Sequence, residues 1–139
     1  MNLAEIPLFS MLRGRLGHLS ERQRVVSQNV ANSDTPGYTP SDVKPYSFEA
    51  QVKGVVLTPV QTPTQPGHMT APGVRKGLGS QFKSVKARDS ETTLDGNSVV
   101  LEEEMMKMAD ARMSYDAAIG FYQKSLGLLR MASRAPGRG

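Results

Sequence analysis

Few residues of this chain have types and spacings suited to chemistry, and each set points away from catalysis. The two histidines, His18 and His68, have no serine, cysteine or carboxylate nearby at a spacing that would build a nucleophile–base pair or a metal site. Both read as ordinary polar surface residues. Glu102, Glu103 and Glu104 suggest a cation site at first sight, but consecutive residues leave a helix on different faces. Three acids at the start of an apolar periodic stretch fit the positive end of a helix dipole better. Gly73–Ser80 superficially resembles a phosphate loop, yet it lacks the Gly-Lys-Ser/Thr ending and no strand pattern precedes it. No catalytic or metal residue is expected, and no cofactor.

Composition narrows the remaining classes. A chain of 139 residues is one domain by size, and 38% apolar with 6% aromatic content implies a narrow core. Bases outnumber acids four to two in residues 1–32, seven to six in 33–97 and six to five in 98–139. A nucleic-acid binder concentrates its positive charge on one face or tail. Here only Arg134–Gly139 looks like a basic tail. A basic, partly disordered module for nucleic acid or a membrane surface remains the competing class. It would need clustered charge or stacking aromatics, and the four Tyr and four Phe are mostly used by helices and strand-like pieces. With no cysteine there is no disulfide framework. The N-terminus lacks a charged region followed by an apolar one, and no apolar run is long enough to span a bilayer. Either the chain stays in the cytoplasm or it leaves by a route that reads no cleaved signal.

The elements that position these residues are two helices at the ends of the chain. In 1–32, after a mobile lead-in and Pro7 in the first turn, Phe9, Leu12, Leu16, Leu19, Gln23, Val26 and Val30 alternate spacings of three and four. Gly14 and Gly17 weaken that helix by about 1 kcal/mol each relative to alanine. In 98–139 the seam is longer: Leu101, Met105, Met108, Arg112, Tyr115, Ile119, Tyr122, Leu126 and Leu129. Asn97 or Ser98 is placed to cap it. Arg112 interrupts the stripe, either snorkelling to solvent or setting register through an ion pair or a neighbouring subunit. Met105, Met106, Met108 and Met113 serve as core filler or as an adaptable surface. Met106, Ala109, Met113, Ala117, Gly120, Phe121 and Leu128 add a second apolar or small set off the seam. One partner helix cannot cover both stripes, so part of the surface is left for other subunits.

Residues 33–97 hold seven of the nine prolines. Tyr46–Val52 and Val55–Val60 are β-prone but flanked by proline, which demotes them to edge strands or extended segments. Residues 61–80 lack the apolar density to order themselves. The expected fold is mainly α: long terminal helices joined by an extended, partly disordered middle with short strand-like segments.

The joint between the first helix and the middle carries the most specific string. Asn32, Ser33 and Asp34 compete for backbone hydrogen bonds, Thr35 precedes proline, and Pro36-Gly37 suits the centre of a type II turn. Tyr38 then emerges where it can pack back on the helix. Taken together, Asn29-Val30-Ala31-Asn32-x-x-Thr35-Pro36-Gly37-Tyr38 resembles the N-terminal signature of bacterial flagellar axial proteins, the rod, hook and hook-associated subunits. The run Leu94-Asp95-Gly96-Asn97 ahead of the acidic helix start, with Tyr115 and the apolar run to Met131, resembles the C-terminal region of proximal-rod subunits in that family. The resemblance covers about 12–50 and 80–132. It implies a structural subunit of the basal-body rod, exported through the flagellar type III apparatus without a cleaved signal and assembled in the periplasm. It further implies terminal helices in an antiparallel coiled coil around the rod's channel. The implied partners are its own copies, other rod proteins, the rod-base adaptor FliE, the MS-ring protein and the export apparatus. Another rod or hook family member is the nearest alternative.

Overall fold

The computed structural model describes residues 6–47 and 82–134. The lead-in, most of the Tyr46–Val52 piece, the Val55–Val60 piece, the 61–80 stretch, His68 and most of the basic tail lie outside the described residues. Four elements follow in order: helix α1, Pro7–Ala31; strand β1, Ser41–Val43; strand β2, Ser84–Lys86; and helix α2, Leu101–Ser133. Pro7 stands in the first turn of α1, where its missing N–H costs nothing. The helix ends where Asn32 turns inward, its N–H on the carbonyls of Gln28 and Asn29 and its Nδ2 on Gln28 O at 2.8 Å. The turn after it closes as its residues dictate: Tyr38 N–H donates to Thr35 O at 3.2 Å, and Gly37 takes φ +71°.

The helices run antiparallel. Asn29 meets Glu104, Arg22 meets Asp110, and Phe9 stands edge-on to Tyr122 with ring centroids 5.2 Å apart. Strands β1 and β2 pair antiparallel, with Asp42 opposite Val85, and β1 lies against α1. Neither strand coincides with the β-prone pieces of the sequence; Tyr46 and Ser47 belong to no strand. Strands of three residues are too short to display an alternating pattern, and they form because the turn after α1 brings 41–43 and 84–86 together.

Of the first seam, Phe9, Leu19 and Val26 are buried and Leu12, Leu16 and Val30 half-buried. The second helix is rolled relative to its expected seam. Met108, Tyr115, Ile119, Tyr122, Leu126 and Leu129 are half-buried, but Leu101, Met105 and Arg112 are exposed. Their places against α1 go to Glu104, Ala111 and Ala118, which are buried. The reason is local: a hydrogen bond from Asn29 draws Glu104 inward, and alanines beyond it let the two helices approach closely. Ala111, fully enclosed at 0% exposure, has no room to grow. Ala111→Leu should therefore cost about 1–3 kcal/mol in denaturant unfolding, and Arg112→Leu less than about 0.5 kcal/mol. The reverse ranking would put Arg112 on the seam.

Candidate functional site

The two motifs that carry the family resemblance, far apart in the chain, meet in one polar joint at the end of the hairpin. Its centre is Asn29, fully buried on α1. The amide uses its whole hydrogen-bonding capacity. Nδ2 donates to Ser41 O at 2.7 Å and Glu104 Oε2 at 2.8 Å, and Oδ1 accepts from Ser41 N–H at 3.0 Å and the Tyr38 hydroxyl at 3.1 Å. Two donors and two acceptors on one planar head are needed, so neither aspartate nor leucine can stand in. Tyr38 reaches Asn29 because the Pro36-Gly37 turn reverses the chain, and Lys86 lies over its ring with Nζ 5.2 Å from the centroid.

The second motif locks on from the other side. Asn97, buried, donates through Nδ2 to Asn32 O at 2.9 Å and Thr35 O at 2.7 Å, giving a second hydrogen bond to each carbonyl of the turn that follows α1. Gly37 N–H donates to Asp95 O at 3.0 Å, and Ser98 N–H to Tyr38 O at 3.0 Å. Gly96 takes φ +84°, and a Cβ there would sit 3.4 Å from Gly37 Cα, so the two glycine turns stack back to back. The Thr93 hydroxyl, with the Asn97 N–H, holds the Asp95 carboxyl below its ordinary range. Leu94, in the same motif, is fully exposed, while Thr35 and Pro36 are surface residues of the turn and Ala31 is exposed at the end of α1.

Asn97 and Ser98 do not cap α2, contrary to the expectation from their types. The N-cap is Val100, without a side-chain cap bond, because Asn97 is occupied with the α1 exit. Asp89 serves the helix start instead. Its Oδ2 accepts from Val100 N–H at 2.8 Å, and its Oδ1 pairs with Lys107 Nζ at 2.6 Å. Lys107 also pairs with Glu104 Oε1 at 2.7 Å. Burial pulls the Lys107 ammonium toward its neutral form, but the hydrogen bonds and charges of Asp89 and Glu104 outweigh it and raise its pKa. The three acids of the first turn thus separate: Glu102 is exposed, Glu103 binds Ser90, and Glu104 is the buried partner of Asn29 and Lys107.

Two further contacts fall outside the expectations from sequence. Arg22 grips Asp42 of β1 through Nε and Nη2 and Asp110 of α2 through Nη1 at 3.0 Å, tying three elements. His18 is buried rather than on the surface, its Nε2 2.7 Å from Lys44 O and its ring against Tyr46 and Phe82. The signal for it was Gly17: a Cβ there would lie 3.2 Å from the Phe82 ring. A glycine inside a helix marks a close neighbour as well as a propensity cost. For Arg22, Asp89 and Lys107 no sequence signal existed, since each is a charge typical of any solvated surface.

Lys107→Met would leave the Asp89 and Glu104 carboxylates enclosed without their cation, and should cost about 3 kcal/mol in chemical denaturation near neutrality. A raised lysine contributes stability that is fully present below its unfolded pKa and lost as pH climbs through the folded one. The gap between parent and variant should therefore persist into mild alkali and close only in strongly alkaline solution. A gap that closed between neutral and mildly alkaline pH would contradict the ion pairing.

The family described as flagella basal body rod protein matches residues 11–39, the stretch from α1 to the turn that holds Asn29 and Tyr38. The flagellar basal body rod protein FlgB of Agrobacterium fabrum is 31% identical over 121 residues, covering 83% of this chain and 84% of that relative. FlgB of Buchnera aphidicola is 24% identical over 123 residues, covering 86% and 88%, and that of Salmonella typhimurium 28% over 107 residues, covering 72% and 73%. Similarity over that share of both chains, with both halves of the joint within it, places the chain in the FlgB family of flagellar basal body rod proteins.

Proposed function

We propose that this chain is a subunit of the proximal rod that assembles through its terminal helices and links the MS ring and rod base to the rest of the rod. Membership of the family makes it a structural protein of the flagellar basal body, not an enzyme, and makes other rod proteins its neighbours. The finer reading rests on one observation, the two-sidedness of α2. Met106 and Met113 opposite the face held by α1, and Phe121, Leu128 and Met131 on its flank, are between 52% and 67% exposed. A monomer has no use for a row of large apolar residues in water along a 33-residue helix. In a tube of similar subunits each such face is covered by the next chain. The fully exposed Leu94 gives the joint a second apolar contact for a neighbour.

In this reading the hairpins line the rod's channel, and the described flanks of the middle, residues 33–47 and 82–97, face outward or bridge between subunits. Own copies, other rod proteins, FliE and the MS-ring protein supply the covering surfaces. The chain arrives through the flagellar type III export apparatus. The seam residues from Phe9 to Val30 and from Met108 to Leu129 close the hairpin, and Leu101, Met105 and Arg112 stand on flanks open to neighbours.

Phe121→Asp places a charge on the exposed face without touching the hairpin seam. It should abolish incorporation into basal bodies and swimming in a complemented deletion strain, and leave the helical circular dichroism of the purified chain unchanged. Normal incorporation of that variant would refute the role given to this face.

A further inference from the structure

The outer face of α2 also has an internal order that a generic sticky surface lacks. Met106, Met113, Gly120 and Gly127 follow one another at intervals of seven, two positions on from the buried Glu104, Ala111 and Ala118. Two positions turn a helix by about 200°, so this line runs down the side opposite α1. Its first half carries two large side chains and its second half two glycines. Among the described residues nothing lies within 4 Å of where a Cβ would stand on Gly120 or Gly127, so packing among them does not account for either. Each costs the helix about 1 kcal/mol relative to alanine.

Charge is divided in the same sense. Residues 101–116 contain five acids against two bases, and 117–134 contain three bases and no acid. The helix dipole acts within the first and last turns, so it does not explain Asp110, Asp116 or Lys124 in the interior. Glu102, Asp110, Asp116, Lys124 and Arg130 are all exposed. Asp110 shares one oxygen with Arg22 and still leaves its side chain 63% exposed.

We infer that the outer face of α2 pairs with the same face of a second copy of this chain, the two helices antiparallel across a two-fold axis near Asp116 and Ala117. In that register Met106 of one copy lies over Gly127 of the other, and Met113 over Gly120. Glu102 faces Arg130 and Asp110 faces Lys124 on the same flanks of the contact. Parallel pairing in register sets every acid on an acid and methionine on methionine, and leaves the glycine notches empty. The antiparallel register opposes like charge at Asp116 alone among these five exposed groups. A two-fold pair is closed, with no free end from which to propagate. It therefore shields the assembly face of a free subunit and yields it when a growing rod supplies the cover. This rests on the reading of that face as one other chains cover.

The absence of cysteine makes a direct test simple. Ala117→Cys in the otherwise unaltered full chain should give a disulfide-linked dimer under mild oxidation, and sedimentation velocity of the parent chain should show a reversible dimer. Met131→Cys should give none, because the two copies of that residue lie at opposite ends of the pair. Gly120→Leu has no described residue within 4 Å of its new Cβ, so it should keep the helical circular dichroism and abolish both dimer and cross-link. Glu102→Lys should weaken dimerisation about fivefold through its two symmetric contacts, and adding Arg130→Glu should restore it. A parent chain that stays monomeric, a cross-link through Met131→Cys, or a dimer indifferent to Gly120→Leu would each overturn the pairing. If the dimer fails while Phe121→Asp still blocks rod assembly, only this inference falls. If the dimer forms and Phe121→Asp is incorporated normally, the rod-packing reading falls and the pairing stands.

Discussion

The fold depends on one amide. Asn29 is enclosed without access to water, where an unmet polar group costs about 1–3 kcal/mol. It is tolerated because partners from three other places in the chain converge on it: the Tyr38 ring that follows the turn, both backbone groups of Ser41, and Glu104 on the opposite helix. Each partner can reach only if its own segment is correctly placed. The Pro36-Gly37 turn must reverse the chain, β1 must lie against α1, and α2 must present Glu104 rather than Met105. A single side chain thereby couples the helix exit, the strand and the roll of the second helix. This is the specificity that a small planar head with two donors and two acceptors can impose and an apolar residue cannot.

The same coupling explains why the second helix has two useful faces. Holding Glu104 inward turns Ala111 and Ala118 toward α1 and sends Met106 and Met113 outward. Close approach through alanines leaves much of the large apolar surface of α2 unused by the hairpin. The polar joint and the exposed face are therefore two results of one rotation. For a rod subunit that division is apt: the joint holds the hairpin in register, and the outer face is free for neighbouring chains.

Charge has a corresponding division of labour. Arg22 with Asp42 and Asp110, and Lys107 with Asp89 and Glu104, tie elements together, all at partly or wholly shielded positions except Asp110. Such pairs contribute modest net stability against hydrophobic replacements, but leaving one member alone is costly, so they select one arrangement over its near alternatives. Glu102, Asp116, Lys124 and Arg130 remain in solvent, where charges contribute little to holding the subunit together.

What the residues determine alone is the outline: two long helices with a proline-rich middle, the glycine turn after α1, and the presence of two family motifs at the ends of that middle. Periodicity, turn chemistry and motif spacing are local, and a chain displays them without its fold. Phe9, Leu19 and Val26 were legible as core for that reason, and Gly37 as the turn. What only the tertiary structure decided is the roll of α2 and the content of the joint. Glu104 reads as a dipole-facing acid, Asn97 as a cap and Arg112 as a seam residue until Asn29 is placed opposite them. Hydrophobic period constrains a helix to a face about 100° wide, and within that width several registers bury similar apolar area. The choice among them falls to buried polar groups whose partners lie far off in sequence, as Glu104 lies 75 residues from Asn29. No local pattern records such a partner.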